Sequence, residues 1–323
     1  MIPCITVGIT ARNEEACIAA TLRTLIAAAE FAEGQGIATY DLVALLDECT
    51  DGTEAVVRGF DRVRVVPTSG GLVESQRVIA AAQPFVIYCD ADILVSHTVL
   101  AELTKAMLVD PGLRAAYPRK RPLPPVRRTL MAAALHCYNR VEGFQKARQY
   151  FNGRLFAIRG WQAPTLAELA PRLAALPRCC FYDYHSGLQV DDIWLSRDIL
   201  MRHGPAAVRE ITTTEIAFRP PETFTGMYRT YLRMRREFER LNRLFPETIP
   251  AHQQRGYDWQ AERRAPWRDR VLWRIFRLAL VACKLRYRIE RCYFQHLSRT
   301  PVQAWKPVTE SKVLPPFVFA PQE

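Results

Sequence analysis

Short apolar runs rich in β-branched residues alternate with segments of helical periodicity over the first 118 residues. The apolar runs predict strands at residues 5–10, 42–46, 63–66, 85–89 and 113–117, and the periodic segments predict helices at about 14–32, 55–60, 73–82 and 97–109. Alternation of this kind builds βαβ units, whose strands pair in parallel and whose helices cover both faces of the sheet. The first region therefore predicts an α/β fold with a doubly wound, mostly parallel, Rossmann-like sheet.

The order of elements changes after residue 118. Residues 118–128, PRKRPLPPVRR, are basic and rich in proline, which cannot continue a helix, and they predict an exposed loop. The pattern beyond this loop predicts helix, strand, helix, helix, strand and helix, at about 129–148, 154–159, 165–175, 191–201, 209–218 and 222–245. We expect these elements to form an α+β half built onto the edge of the sheet.

Two helices near the C-terminus are rich in arginine. The helix at 222–245 carries Arg229, Arg233, Arg236 and Arg240 on one stripe, which is either a solvated face or an anion clamp. Residues 267–297 predict a helix with cations on one side, while large apolar residues cover much of the rest; the cations are Arg270, Arg274, Arg277, Lys284, Arg288 and Arg291. Such a helix either lies in a membrane interface or docks on the protein body with its basic edge in water. Residues 298–323 show no periodicity and predict a tail.

The balance of charge favours an anionic partner. The chain has 44 Lys and Arg residues against 33 Asp and Glu residues, a formal net charge of +11. Phosphorylated substrates, lipid headgroups and nucleic acids are all compatible with this charge. No apolar stretch approaches the ~20 residues that span a bilayer, and the first 15 residues do not have the pattern of a signal peptide. The nine cysteines are scattered without a Cys-x-x-Cys pair, which predicts reduced thiols in a cytosolic protein.

Acidic residues follow several of the predicted strands. They are Glu14 after the first strand, Asp47 after the second, and Asp90 with Asp92 after the fourth, while Asp191 and Asp192 begin a later helix. Ligands of a doubly wound sheet bind beyond the carboxyl ends of its strands, where we expect these acids to meet. Carboxylates at i and i+2, as in an Asp-x-Asp motif, can bind one hard cation such as Mg²⁺ or Mn²⁺. A divalent cation that bridges a diphosphate neutralises the charge on a departing nucleotide.

Four segments occur in a specific order and spacing: ITARNEE (9–15), LLDECTDGT (45–53), SQRVIAAAQPFVIYCDADI (75–93) and QVDDIWLSRDI (189–199). Together they resemble an inverting glycosyltransferase of family 2 with the GT-A fold, over roughly residues 4–245. The resemblance implies transfer of a sugar from a nucleotide-sugar to a hydroxyl acceptor with inversion of the anomeric centre. A UDP-sugar is the favoured donor. The resemblance also implies Mg²⁺ or Mn²⁺ as cofactor.

The resemblance implies roles for residues of the donor site. Residues that would contact the base, the ribose or the diphosphate are Thr10, Ala11, Arg12, Asn13, Glu14, Asp47, Arg77, Asp90 and Ala91. Asp47 would accept a hydrogen bond from the nucleobase, and Arg77 would lie near the diphosphate, although an ordinary surface arginine fits Arg77 equally well. Asp92, with Asp90, would bind the metal.

The resemblance also implies a catalytic base. The family carries an acid pair at the start of a helix below the acceptor, and Asp191 and Asp192 occupy that place. The second acid, Asp192, would take the proton of the acceptor hydroxyl, while either of the two could serve only as a helix cap. Arg233, Arg235 or Arg236 could bind the diphosphate or the acceptor, because a guanidinium suits phosphate oxygens.

The resemblance divides the chain into three parts. We expect residues 1–118 to be the nucleotide-sugar-binding half and 119–245 the acceptor-binding and catalytic half of one GT-A domain, followed by a basic amphipathic helix and tail at 246–323. The basic helix suggests a lipid-linked or membrane-proximal acceptor, and a cytoplasmic protein held peripherally on the inner face of the cell membrane. A nucleic-acid partner is not expected, because the acid clusters would repel phosphate without a metal.

The sequence departs from the family pattern in two places. Leu46 stands where the family often has an acid, and YLRMRRE (231–237) lacks the Trp of the Gln-x-x-Arg-Trp motif, so a processive polymer synthase is not predicted. Two other classes of function remain as alternatives. A sugar nucleotidyltransferase would need a Gly-rich basic loop after the first strand, where this chain has TARNEEA. A non-catalytic basic protein that binds membranes or nucleic acid would use the fold only as a scaffold.

Overall fold

The computed structural model describes residues 2–79, 84–141, 151, 153–176, 187–188, 190–251, 258–296 and 309–315. The parts of the predicted helices at 80–82 and 142–148, and most of the predicted tail, lie outside the described residues. All of the described strands belong to one eight-stranded sheet with the order β3-β2-β1-β4-β7-β6-β8-β5.

Four parallel strands form the first half of this sheet: β1 (Cys4–Ala11), β2 (Thr39–Asp47), β3 (Val63–Thr68) and β4 (Val86–Asp90). Helices α1 (Ile18–Gly34), α2 (Thr53–Arg58) and α3 (Leu72–Arg77) connect them. Neighbouring residues of a strand point to opposite faces, and both faces are covered here. Val43 and Leu45 of β2 join one buried cluster, whereas Leu42, Ala44 and Leu46 join another. These observations confirm the predicted doubly wound α/β fold.

The second half of the sheet mixes strand directions. Its strands are β5 (Ile93–Val95), β6 (Ala115–Pro122), β7 (Leu155–Ile158) and β8 (Val208–Phe218). Strand β7 runs antiparallel to β4 and β6, β8 runs parallel to β6, and β5 runs antiparallel to β8. The helices of this half are α4 (Val99–Val109), α5 (Leu130–Arg140), α6 (Leu166–Ala174), α7 (Asp191–His203) and α8 (Phe224–Leu244). Strand β5, directly after the Asp-x-Asp motif, was not predicted from the sequence.

The prediction of an exposed loop at 118–128 is wrong for residues 118–122, which belong to a strand. Strand β6 continues to Pro122 and pairs with β8, with Lys120 opposite Ile216. The register shifts between Pro118 and Arg119, and such a β-bulge accommodates a proline that cannot donate to the ladder. Arg121 is held by an ion pair from its Nε to Glu215 Oε1 at 3.0 Å. The pairing of β6 with β8 therefore determines the structure of residues 118–122. The local sequence pattern predicted a loop there because it carries no information about that pairing.

Two helices complete the described C-terminal region, α9 (Trp259–Arg264) and α10 (Trp267–His296). Helix α10 docks on the body, because Trp273, Phe276 and Cys283 are buried in the same cluster as Val43 and Leu45 of β2. Tyr138 of α5 stacks on Phe276 with ring centroids 4.0 Å apart. Among the described helices, none has the length and apolar character needed to cross a bilayer.

Candidate active site

The loop after β1 and the end of β2 form a wall at the carboxyl ends of the parallel strands. Asn13 Oδ1 accepts a hydrogen bond from the backbone N–H of Thr50 at 2.7 Å, and Glu14 donates its backbone N–H to Thr53 Oγ1 at 2.8 Å. Asn13 has φ 57°, in the left-handed region that asparagine tolerates better than most residues. These bonds fix the loop that contains Arg12, Asn13 and Glu14, directly after Thr10 and Ala11 of β1.

Asp47 is buried at the end of β2 with both carboxylate oxygens engaged. Its Oδ2 accepts from Arg12 Nη1 at 3.2 Å, and its Oδ1 accepts from the backbone N–H of Gly71 at 3.0 Å. Gly71 has φ 97°, which a glycine adopts without strain. Asp47 therefore ties together the loops that follow β1, β2 and β3 at the sheet edge.

Asp90 and Asp92 lie beside each other at the end of β4, with Arg154 as their cationic neighbour. Arg154 Nη1 lies 3.2 Å from Asp92 Oδ1 and 3.9 Å from Asp90 Oδ2. The pKa of Asp90 lies well above its ordinary value, because surrounding protein atoms desolvate the carboxylate and the charge of Asp92 opposes its ionisation. The side chain of Asp90 is nevertheless 38% exposed, so it is accessible to a ligand.

Gly153 and Arg154, adjacent in the chain, join the two acid pairs. Asp90 donates its backbone N–H to the carbonyl of Arg154 at 2.7 Å. Gly153 in turn donates its backbone N–H to Asp192 Oδ2 at 3.2 Å. A Cβ at Gly153 would lie 2.7 Å from the carboxylate of Asp192, so a glycine is needed for this close approach. The structure thus brings Asp90, Asp92 and Asp192 to one cleft.

Asp191 and Asp192 begin helix α7 in different surroundings. Asp191 is buried, and its Oδ2 accepts from Gln76 Nε2 of α3 at 2.9 Å. Asp192 is half-buried, and its Oδ2 accepts from the backbone N–H of Gly153. Burial, together with the negative charge of Asp191, raises the pKa of Asp192 to about 7. Asp191 is thus positioned by a neutral amide, while Asp192 has the proton affinity of a base that works near neutral pH.

The three arginines of α8 that the sequence singled out have different neighbours. Arg233 has Asp90, Asp92 and Asp192 among its charged neighbours, together with Arg154, and its burial lowers its pKa. Arg235 Nε instead pairs with Glu239 at 3.1 Å, and Arg236 lies near Tyr228. The stripe to which Arg233 belongs is solvated only in part, because Arg229 is exposed, Arg233 and Arg236 are half-buried, and Arg240 is buried.

Arg77 is not brought together with the acid pairs. Its guanidinium donates to the carbonyl of Ala163 at 3.1 Å and to Glu168 Oε2 at 2.6 Å. Ala91, the middle residue of the Asp-x-Asp motif, is buried, and its carbonyl accepts from Thr21 Oγ1 at 2.7 Å. The backbone of this turn is therefore anchored to α1.

Sequence reasoning missed several residues of the cleft. Arg154 follows the Asn-Gly pair before β7, and its position predicts only the start of a strand. Gln76 lies within a predicted helix, and the helical pattern gives it no functional role. Gly153 is signalled as a turn residue, but not as a partner of Asp192. Lys312 pairs with Glu14 from a segment without any periodic pattern. Their contacts join segments far apart in the chain, and local patterns carry no signal for such contacts.

The acids offer a limited but suitable set of ligands for a hard cation. Among the described residues, no group of three or more His, Cys, Asp or Glu side chains could hold a metal ion. Asp90 and Asp92 provide two carboxylates that repel each other. Mg²⁺ is typically bound by one or two carboxylates, with water and substrate phosphate oxygens as the other ligands, so the pair fits a cation that arrives with a diphosphate.

An acid-lined cleft beyond the carboxyl ends of parallel strands, at the point where antiparallel strands join the sheet, is typical of α/β enzymes that bind nucleotides. Residues 6–160 match the family described as Glycosyl transferase family 2. The matched residues make up slightly less than half of the chain, and over them the chain is similar to glycosyltransferases of family 2.

Solved structures show partial likeness to the chain. Glucosyl-3-phosphoglycerate synthase from Mycobacterium tuberculosis, in complex with Mn²⁺, UDP-glucose and phosphoglyceric acid, is 19% identical, with a TM-score of 0.48, over 75% of this chain and 80% of that one. The same enzyme with Mg²⁺ and UDP has a TM-score of 0.47 at 19% identity, over 75% and 79%. A structure described as a mycobacterial protein has a TM-score of 0.41 at 19% identity, over 67% and 65%. A search of curated proteins gave no match.

Proposed function

We propose that the protein is a metal-dependent, inverting glycosyltransferase that moves a sugar from a nucleotide-sugar, first of all a UDP-sugar, to a hydroxyl acceptor. The observation that carries this proposal is the connection of Asp90 and Asp92 to Asp192 through Gly153 and Arg154. This connection supports the proposal, because a displacement at an anomeric carbon requires the metal ligands and the base to lie close together.

The nucleoside is proposed to lie against the wall formed by the loops after β1 and β2. Thr10, Ala11, Arg12, Asn13 and Glu14 would line this wall, with Asp47 beneath it. Asp47 holds these loops together and offers the polar acceptor that a nucleobase amide needs. The diphosphate would then extend toward Asp90, Ala91 and Asp92.

Asp90 and Asp92 are proposed to hold Mg²⁺ or Mn²⁺ together with diphosphate oxygens of the donor. A divalent cation bound there would neutralise the negative charge that develops on the leaving nucleoside diphosphate. Arg154 already offsets part of the carboxylate charge, at 3.2 Å from Asp92. Arg233, half-buried with the same acids as charged neighbours, is proposed to bind the diphosphate, and Arg236 lies one turn further along α8.

Asp192 is proposed to be the base. As the acceptor oxygen forms its bond to the anomeric carbon, its proton passes to the Asp192 carboxylate, while the bond from that carbon to the diphosphate oxygen breaks. The electron pair of the broken bond leaves with the nucleoside diphosphate, and attack from the opposite face inverts the anomeric centre. Asp191 would keep α7 in place through Gln76 and raise the proton affinity of its neighbour.

Thermal-shift measurements with a panel of nucleotide-sugars, with and without Mn²⁺, test the donor and the metal together. A ligand that binds the folded form raises the melting temperature, and we expect a UDP-sugar to do so only with the cation. The D92N variant should lose the cation-dependent shift. The D41N variant is the control, because Asp41 pairs with Arg64 on the surface. Release of pyrophosphate from a nucleoside triphosphate would instead support a nucleotidyltransferase.

The acceptor is proposed to be lipid-linked or membrane-proximal, because α10 exposes apolar residues along a second face. Trp267 and Leu278 are each 71% exposed, and Val281, Leu285 and Ile289 follow on the same side of the helix. Cations flank this exposed stripe, with Arg270, Arg274, Arg277, Lys284 and Arg288 on one side and Arg268 and Arg286 on the other. An apolar stripe between cations suits the interface of an anionic bilayer, which would make the protein peripheral on the inner face of the cell membrane.

Vesicle sedimentation tests this surface. We expect binding to vesicles with anionic lipid and weaker binding to neutral vesicles, because both apolar burial and charge contribute. The L285S/I289S double variant should lose most of the binding. The V109S variant should not, because Val109 is exposed at the end of α4. Equal binding of the double variant and the unchanged protein would contradict the proposal.

The division of the chain into parts is also proposed. Residues 1–118 would bind the donor, and residues 119–245 would supply the acceptor site with the base. Residues 246–323 would supply the membrane-facing helix and a C-terminal segment.

A further inference from the structure

The last described segment of the chain returns to the loop after β1. We name residues 309–315 the C-terminal strap; it begins with one 3-10 turn, Thr309–Lys312. The ammonium group of Lys312 forms an ion pair with the carboxylate of Glu14, and the two side chains are only 14% and 13% exposed. The strap thus brings a cation into the wall where the nucleoside is proposed to bind.

The strap is held by contacts that do not involve Lys312. Glu310 Oε1 accepts from the backbone N–H groups of Glu222 and Thr223, each at 3.1 Å, and from Thr223 Oγ1 at 2.9 Å. These donors lie at the beginning of α8, where a carboxylate is favoured by the helix dipole. Gly226 in the first turn of α8 leaves the space that Glu310 fills.

Two further contacts fix the end of the strap. The buried Arg219 donates its Nε to the carbonyl of Val313 and pairs with Glu222 at 3.1 Å. Leu314 packs against a small buried cluster that includes Leu94 and Ala217. Because these anchors are independent of Glu14, the ammonium of Lys312 can exchange one anionic partner for another without movement of the strap.

The surroundings of Lys312 are otherwise acidic. Cys17 Sγ donates to Glu14 Oε2 at 3.1 Å, and the negative charge of Asp92 reaches both Glu14 and Cys17. The charges of Lys312 and Asp92 thus both act on Glu14 and Cys17. A diphosphate bound at the Asp-x-Asp turn would bring its negative charge toward this ammonium group, and a lysine binds phosphate as a compact point charge.

We propose that Lys312 is a donor-binding residue whose ammonium group binds the diphosphate of the nucleotide-sugar, and that the C-terminal strap positions it. The proposal rests on the proposed function of the cleft. It assigns to the C-terminal segment a direct part in donor binding, with Glu14 as the partner of Lys312 when no donor is bound.

Calorimetric titration of the full chain with UDP and with uridine, in the presence of Mn²⁺, tests the proposal. We expect K312Q to weaken UDP binding by about 10- to 100-fold, the range of a charge-assisted hydrogen bond, and to leave uridine binding unchanged. The K312R variant should keep most of the affinity because it keeps the charge. The K105Q variant should bind like the unchanged protein, since Lys105 is an exposed residue of α4.

The E310Q variant tests the positioning by the strap. With Lys312 intact, it should weaken UDP binding less than K312Q does, with a melting temperature close to that of the unchanged protein. If the unchanged protein binds UDP and K312Q binds it equally well, this inference fails and the proposed function stands. Tighter UDP binding by K312Q would also overturn it, because Lys312 would then block the site. Absence of binding by the unchanged protein to any nucleoside diphosphate would overturn both proposals.

Discussion

Asp192 combines a raised proton affinity with a fixed position. Gly153 holds its carboxylate from one side, and the charge of Asp191 opposes its ionisation from the other. A base must be deprotonated to accept a proton, so in the proposed reaction only the ionised form of Asp192 would act.

The rate of transfer should therefore depend on pH. Because the pKa of Asp192 is raised to about 7, kcat/KM should rise with pH through a midpoint near that value. The D191N variant should move the midpoint to lower pH, since it removes the like charge, whereas D192N should lower kcat by roughly 10²- to 10⁴-fold. A pH–rate profile measures the midpoint in each variant and the loss of kcat in D192N. An unchanged midpoint in D191N would show that the charge of Asp191 does not raise the pKa of Asp192.

Replacement of Gly153 should disturb catalysis through the position of Asp192. In the G153A variant the new methyl group would lie 2.7 Å from the Asp192 carboxylate and 2.8 Å from Asp192 Cβ, so the carboxylate must turn away and the backbone must shift. We expect kcat to fall by about 10-fold or more, because a misplaced base loses its alignment, with a lower melting temperature and nearly unchanged donor affinity. The G34A variant is the control, since a Cβ at Gly34 meets no atom within 4 Å. Equal kcat values for the two variants would contradict this role.

The acids of the site could be predicted from the sequence because each stands next to a strand end or a helix start, where the position in the fold follows from the pattern. Asp47 and Asp90 are such residues. Arg154, Gln76 and Lys312 could not, because their place depends on the pairing of β4 with β7, on the approach of α3 to α7, and on the return of the C-terminal strap. The catalytic and binding roles of all these residues stay predictions.

At the scale of elements, α10 shows two apolar faces with different surroundings. Trp273 is 3% exposed and packs beside Tyr138 and Phe276, while Trp267 on the same helix is 71% exposed. The sequence showed the apolar content of this helix but not which residues pack on the body, because α5 and α8 select that face. The loop prediction at 118–122 failed for the same reason, because pairing with β8 extends β6 to Pro122.

The two tryptophans give a matched test of this packing. The W273A variant should lower the free energy of unfolding by about 3–5 kcal/mol, because it leaves a cavity in the core. The W267A variant should change it by less than about 0.5 kcal/mol, as is usual for exposed positions. Denaturant titration measures both values. Similar losses in the two variants would show that α10 is not docked as described.

At the scale of the whole molecule, the surplus of positive charge and the acidic site are proposed to serve different ligands. The net charge of +11 is compatible with an anionic surface, whereas the acids gather at one edge of the sheet. The parallel half of the fold was predictable because each βαβ unit is local in sequence. The order of β7, β6, β8 and β5 was not, because these strands pair across long stretches of chain.

Salt should weaken the proposed binding to anionic vesicles. Screening shortens the range of surface charges from roughly 30 Å at 0.01 M salt to about 10 Å at 0.1 M, so affinity should fall steeply over this interval. The K284Q/R288Q variant should bind about 10-fold or more weakly at low salt, since each cation near the surface contributes about 1 kcal/mol. Co-sedimentation across a salt series measures this. Salt-independent binding would contradict the electrostatic part of the proposal.

The pairing of β4 with β7 has a consequence for biosynthesis. Strands β1 to β4 can assemble once residue 90 has left the ribosome, but one edge of β4 has no neighbour until residues 155–158 emerge. At translation rates of about 5–20 residues per second, this edge stays uncovered for several seconds. An unpaired apolar strand edge is a template for aggregation, so the nascent chain should depend on chaperones most strongly during this interval.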